Sequence, residues 1–188
     1  MTSRLAAAPM LWMDQDPKRL ARDKAELAAF APLLRYVEPT SDPQTHGLWL
    51  GQIPRWPFER LQPLGLEVLL GGSEFELIMI YPSAYPMTPP TFFPSNVTPE
   101  PVEQSQAIWH VAPGGSLCLL QSTGGWPPEA SVTELVQKAA GWRVEYALMK
   151  AGVIEQMTTN GIVSDPVLDY LVTEVASAMS VEGHTDIQ

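Results

Sequence analysis

The chain has 188 residues, 45% of them hydrophobic and 17% charged, with a formal net charge of −10 at pH 7. That size and balance describe one globular domain with a sizeable core, and argue against a disordered chain or two full domains. The acidity argues against a nucleic-acid surface, which needs clustered Lys and Arg to neutralise phosphates, and no apolar run is long enough to span a bilayer.

Residues 1–15 read as a flexible lead. A helix is signalled from Asp16-Pro17: Asp16 serves as a cap, Pro17 suits the first helical position, and Leu20, Leu27, Phe30 and Leu34 form an apolar stripe that predicts a helix over 16–34. Lys18, Arg19, Arg22 and Lys24 give this helix a basic face on an acidic protein, either a solvated surface or a docking surface for an acidic partner.

Strand-like runs follow at 48–53, 66–70 and 75–81, with Gly71-Gly72 as a hairpin signal between the last two. A short fourth strand is expected at 91–93, where prolines bound an aromatic pair. These four predict an antiparallel meander.

From 94 to 125 periodic signals fade. A long irregular segment in a compact domain is usually functional or mobile, and this one carries His110, the glycines at 114, 115, 124 and 125, and Cys118. Ser131 with Glu134 then forms a capping box, and Val132, Leu135, Val136, Ala139, Val144 and Leu148 recur at helical spacing, predicting a long helix over 131–150. Asn160-Gly161 breaks the chain, and Asp165-Pro166 opens a last amphipathic helix to about 179. The single domain is thus drawn at 16–180, with 181–188 a flexible tail.

Cys118 is the only cysteine. It makes no intramolecular disulfide, and with no secretory signal it suggests a reducing, cytoplasmic setting. Three histidines without Cys-x-x-Cys or His-Glu-x-x-His spacing give no metal site, and a Walker-type phosphate loop is absent, so neither metal nor cofactor is expected. A free cysteine often packs as a small hydrophobe. A thiolate is also a strong nucleophile and, in a thioester, a good leaving group, so one residue can accept an acyl group and pass it on.

Its neighbours favour the second role. Gly71-Gly72, Phe75-Glu76-Leu77-Ile78, Tyr81-Pro82, Tyr85-Pro86-Met87-Thr88-Pro89-Pro90, His110, Gly115-Ser116-Leu117-Cys118-Leu119 and Trp126-Pro127-Pro128 follow one another along the chain. In that order they resemble the ubiquitin-conjugating enzymes, over roughly residues 17–150 and most firmly over 71–135. The resemblance implies an α+β fold of the UBC type: an N-terminal helix, a four-stranded antiparallel meander, an active-site loop, a crossover helix and a C-terminal helix. It implies a transferase that takes the C-terminal glycyl group of a ubiquitin-like protein from an activating enzyme as a thioester on Cys118, then delivers it to an amine of an acceptor protein. The activating enzyme would dock on the basic face of the first helix.

Cys118 and His110 are the catalytic candidates; in this resemblance His110 mainly supports the active-site loop, with a general-base role the alternative, while Trp126 packs the loop over the crossover helix and Gly115 shapes the turn before the thiol. The family's His-Pro-Asn stands here as His110-Val111-Ala112, so the asparagine that stabilises the oxyanion is missing. The spacing from histidine to cysteine is shorter than in the family and that from Pro90 to His110 longer. Backbone amides, Gln121, Ser122, Thr123 or a partner protein would have to replace the lost donor. The long lead and enlarged loop make the chain most similar to bacterial conjugating enzymes encoded beside a ubiquitin-like protein in anti-phage defence operons. Two other readings stay open: a non-catalytic module that binds a ubiquitin-like protein, and a thiol transferase or peptidase that needs no activating enzyme.

Overall fold

A computed structural model describes residues 10–40, 46–121, 125–159, 161–164 and 166–185. Its centre is a four-stranded antiparallel sheet in the sequential order β1 (Leu34–Val37), β2 (Leu48–Ile53), β3 (Phe75–Ile80), β4 (Thr91–Pro94). Alternation sorts the side chains: Phe75, Leu77 and Met79 of β3 point into the core, as do Trp49 of β2 and Phe92 of β4. The opposite face leaves Val37, Leu50 and Ile80 exposed, the one-sided burial usual for antiparallel sheets.

Among the described residues the α-helices are α1 (Trp12–Gln15), α2 (Pro17–Phe30), α3 (Leu66–Leu69), α4 (Val132–Lys150), α5 (Gly161–Ser164) and α6 (Asp169–Thr185). Thirteen of the 19 residues of α4 are buried, as befits a helix that lies between two layers. One side packs on the sheet through Val136, Ala139 and Trp142. Val144, Ala147 and Leu148 on the other meet Leu66, Leu69, Ile162 and Val172 in a second core formed with α3, α5 and α6.

The meander has four strands as expected, but with different members. Residues 66–70 form helix α3, not a strand. Gly71 and Gly72 close that helix instead of a hairpin: both have left-handed φ, +66° and +68°, and the Gly71 and Gly72 amides return to the carbonyls of Val68 (3.1 Å) and Glu67 (2.8 Å). This is the bond pattern of a glycine-terminated helix end. The missing strand is β1. The first helix stops at Phe30, short of the expected 34, because the backbone of Ala31, ahead of Pro32, has left the helical region. Leu34 therefore opens a strand paired with Gly51.

Residues 10–15, read as part of a lead, are docked. Trp12 is 3% exposed, its indole N–H donates to the His46 carbonyl at 3.0 Å, and its ring lies against Tyr81 and Tyr85. Residues 1–9 lie outside the described residues. At the other end a 3-10 turn at Pro166–Leu168 leads into α6, which runs to Thr185, beyond the expected limit of 179; Asp165 and 186–188 are outside the described residues.

The expected basic face of α2 loses one member, Arg19, while Lys18 and Arg22 stay exposed. Arg19 is 6% exposed and turned inward: its Nε donates to Asp23 (2.9 Å) and Tyr85 Oη (2.8 Å), Nη1 donates to the Pro128 carbonyl, and Nη2 to the Ala130 carbonyl (2.8 Å). Arg22 binds Glu26 (2.7 Å) and the Glu129 carbonyl (2.8 Å), and Lys24 reaches Glu38 (3.2 Å) and lies over the Tyr36 ring. Arg19 and Arg22 thereby fasten α2 to the segment just before α4, and Lys24 ties it to the end of β1. Lys18 alone of the four stays exposed without a described partner.

Candidate active site

Beyond β4 the chain returns as a narrow ribbon. Val111 and Leu117 form an antiparallel bridge, the Ala112 amide donates to the Ser116 carbonyl (2.8 Å), and the turn between them holds Gly114 and Gly115 at φ +96° and +88°. Those values favour glycine, which accounts for Gly115. Val111 and Leu117 are buried, and the Leu117 amide donates to the Phe92 carbonyl of β4 (2.8 Å). The ribbon is thereby fixed to the sheet edge one residue before the cysteine.

Cys118 itself is held by its backbone. Its amide donates to the carbonyl of His110 at 2.7 Å. His110 adopts φ +49°, a region that few non-glycine residues enter. It therefore supports the loop through its main chain. Among the described residues its ring makes no hydrogen bond.

The thiol is half-buried, and burial pushes its pKa up from the ordinary value of 9.0. Among the described residues no group hydrogen-bonds to Sγ. Cys118 lines a cleft of about 1010 Å³, with Pro89, Pro90, His110, Leu119, Leu120, Leu135, Lys138, Trp142, Met157 and Thr159 among the other lining residues.

The other expected site residues fall around this cleft in different capacities. Gly125 and Gln121 line it, and Gln121 Nε2 donates to the Thr159 carbonyl at 3.3 Å, tying the end of the cysteine segment to the chain after α4. Trp126 is buried, with its indole N–H on the Pro86 carbonyl (2.9 Å), so it anchors the Tyr85-Pro86 bend. Ser122 and Thr123 lie outside the described residues. The amides of Leu119 and Leu120, next after the cysteine, donate no hydrogen bond among the described residues, and both residues line the cleft.

Sequence reasoning missed Glu145. Its side chain, 2% exposed in the middle of α4, accepts from the Thr158 amide (2.7 Å), the Thr158 hydroxyl (2.9 Å) and the Ile162 amide (2.6 Å). A buried carboxylate needs such partners, and an acidic residue set among Val144, Tyr146, Ala147 and Leu148 was the available signal. The carboxylate fixes Thr158 and Ile162, while the Met157 amide on the Ile108 carbonyl (3.0 Å) and Trp142 Nε1 on the Trp109 carbonyl (2.9 Å) join this segment and α4 to the segment before the cysteine. Lys138 was missed as well; it sits on α4 between Leu135 and Trp142 and shares their outlook onto the cleft.

Among the described residues no group of three or more His, Cys, Asp or Glu side chains is placed to hold a metal ion, and no helix is long and apolar enough to cross a membrane. No protein-family model matches the chain, and no curated protein does.

Proposed function

We propose that the protein is an acyl carrier and transferase of the ubiquitin-conjugating kind: Cys118 accepts a ubiquitin-like protein as a thioester from an activating enzyme and passes it to an amine of an acceptor. Its setting would be the cytoplasm of a bacterium, in an antiviral conjugation system. The observation that carries the reading is the position of the one thiol, half-buried in the lining of a cleft of about 1010 Å³ rather than sealed in the core, with the preceding residue fastened to the sheet. A sulfur so placed can receive an extended protein tail.

The environment of Sγ suits a carrier. Burial raises the thiol's pKa and, among the described residues, no group hydrogen-bonds to Sγ, so the group stays a thiol at neutral pH and attack must be drawn out by an activated acyl donor. A self-contained thiol peptidase needs a base within hydrogen-bond reach of the nucleophile, and no group hydrogen-bonds to Sγ among the described residues. Where the asparagine of the resembled family is missing, the free amides of Leu119 and Leu120 supply donors for the tetrahedral oxyanion. Incubation with the cognate activating enzyme, ATP and ubiquitin-like protein should give an adduct released by thiol reagents and absent from Cys118→Ala; an adduct of equal yield in Cys118→Ala overturns the reading.

A further inference from the structure

We infer that the cleft selects donors by charge: it takes an acyl donor whose C-terminal tail bears an acidic side chain shortly before the terminal glycine, and Lys138 is the counter-charge that reads it. The inference rests on the reading of Cys118 as an acyl carrier and narrows the class of ubiquitin-like protein that it accepts.

Two side chains of formal charge line the cleft among the described residues, Lys138 and Glu145. They differ in what they leave free. Glu145 is 2% exposed and accepts from the Thr158 and Ile162 amides (2.7 and 2.6 Å), so its charge is answered from within the fold. Lys138 is half-buried, and among the described residues it has neither a hydrogen bond nor an ion pair. A partner was at hand: Glu134 lies four positions earlier on α4, the spacing and order at which a helical carboxylate and ammonium pair best, yet no ion pair joins the two.

The surroundings make this cation selective. Leu135 and Trp142 flank it on the same face of α4 and share the lining with Leu119 and Leu120, the residues that follow Cys118. An ammonium group among apolar neighbours is poorly hydrated, and an incoming carboxylate offsets that loss, while an incoming cation adds repulsion. The chain as a whole carries −10 and repels an acidic tail at long range, so a preference for one has to arise locally, at Lys138. No contact between Lys138 and the sulfur is required. An extended chain advances about 3.4 Å per residue, which carries a side chain near the end of the tail along the cleft and away from Sγ. The cleft, at about 1010 Å³, has room for several residues.

Peptide thioesters test this without the protein partners. The full chain is treated at about pH 8 with the 2-mercaptoethanol thioesters of acetyl-Ala-Glu-Gly-Gly and acetyl-Glu-Ala-Gly-Gly, and of the same peptides with Gln or Arg in place of Glu. The Cys118 thiolate attacks the thioester carbonyl, mercaptoethanol leaves as thiolate and takes up the proton, and intact mass follows acylation of Cys118. At one of the two positions the Glu donor should react at least about threefold faster than the Gln donor, with Arg slowest, because successive side chains of an extended chain face opposite ways. Lys138→Met should remove the preference, and Lys138→Glu should reverse it in favour of Arg, which also separates Lys138 from His110. Equal rates from all donors on wild-type Cys118, or a Glu preference that survives Lys138→Met, overturns this inference and leaves the carrier reading intact. Absence of any acyl group on Cys118 overturns both.

Discussion

Arg19 and Tyr85, 66 residues apart, are joined by a hydrogen bond of 2.8 Å from the guanidinium Nε to the phenol oxygen, with both side chains buried. The same phenol donates to Asp23 (2.6 Å), which also receives the Tyr81 hydroxyl (2.9 Å), and the remaining guanidinium nitrogens reach the Pro128 and Ala130 carbonyls. One buried cation therefore connects α2, the bend after β3 and the entry to α4. The cleft depends on that arrangement, since Pro89 and Pro90 follow the bend and Leu135 follows the entry.

Removing Arg19 leaves Asp23, fully buried, without its counter-charge. Arg19→Met should cost about 3–5 kcal/mol of stability, the range for breaking a buried pair from one side. Arg22→Met, whose ion pair with Glu26 is exposed, should cost less than about 1 kcal/mol. Urea unfolding of both variants checks this, and equal losses would contradict the role given to Arg19.

The Glu145 carboxylate shapes the chain after α4, and Glu145→Gln replaces one acceptor oxygen with a donor facing amide N–H groups. The expected loss is about 1–3 kcal/mol, the cost of leaving a buried polar group unpaired. Hydrogen exchange at the Thr158 and Ile162 amides should accelerate while the amides of β2 and β3 stay protected. Unchanged protection at Thr158 and Ile162 would refute the assignment.

How far the fold could be read from sequence depended on how unambiguous each local signal was. Strand β2 and helix α4 were legible to within a residue: β2 carries a compact apolar run, and α4 opens at Ser131, whose Oγ accepts from the Thr133 amide at 3.2 Å. Residues 66–70 were misread because a short apolar run has no period to separate strand from buried helix. The φ of +82° at Gly65, at the start of α3, comes only with the structure. Pro32 carries a helix-ending signal that an apolar stripe running on to Leu34 does not register. Arg19 looked exposed because its burial follows from Tyr85 and Ala130, far along the chain. At the site, sequence located Cys118 and its turn, while Glu145 and Lys138 came into view only when α4 was placed beside the loop.

Burial of Cys118 has a direct consequence for its reactivity. Desolvation disfavours the thiolate and raises the pKa above the ordinary 9.0, and the thiolate is the form that reacts with alkylating agents. The rate of iodoacetamide alkylation should therefore still be climbing at pH 9, with its half-point above that value, and at neutral pH it should be slower than for a free thiol. A half-point below 9 would show an activating neighbour and would favour the self-contained thiol enzyme.

The central claim is that the sulfur of Cys118 bears the acyl group of a ubiquitin-like protein. Intact-mass measurement on the wild type and two variants, each incubated with activating enzyme, ATP and ubiquitin-like protein, tests it most directly. The account predicts an adduct on the wild type that dithiothreitol removes, an adduct on Cys118→Ser that resists dithiothreitol because an oxygen ester replaces the thioester, and none on Cys118→Ala. An adduct of the same mass and yield on Cys118→Ala would contradict it.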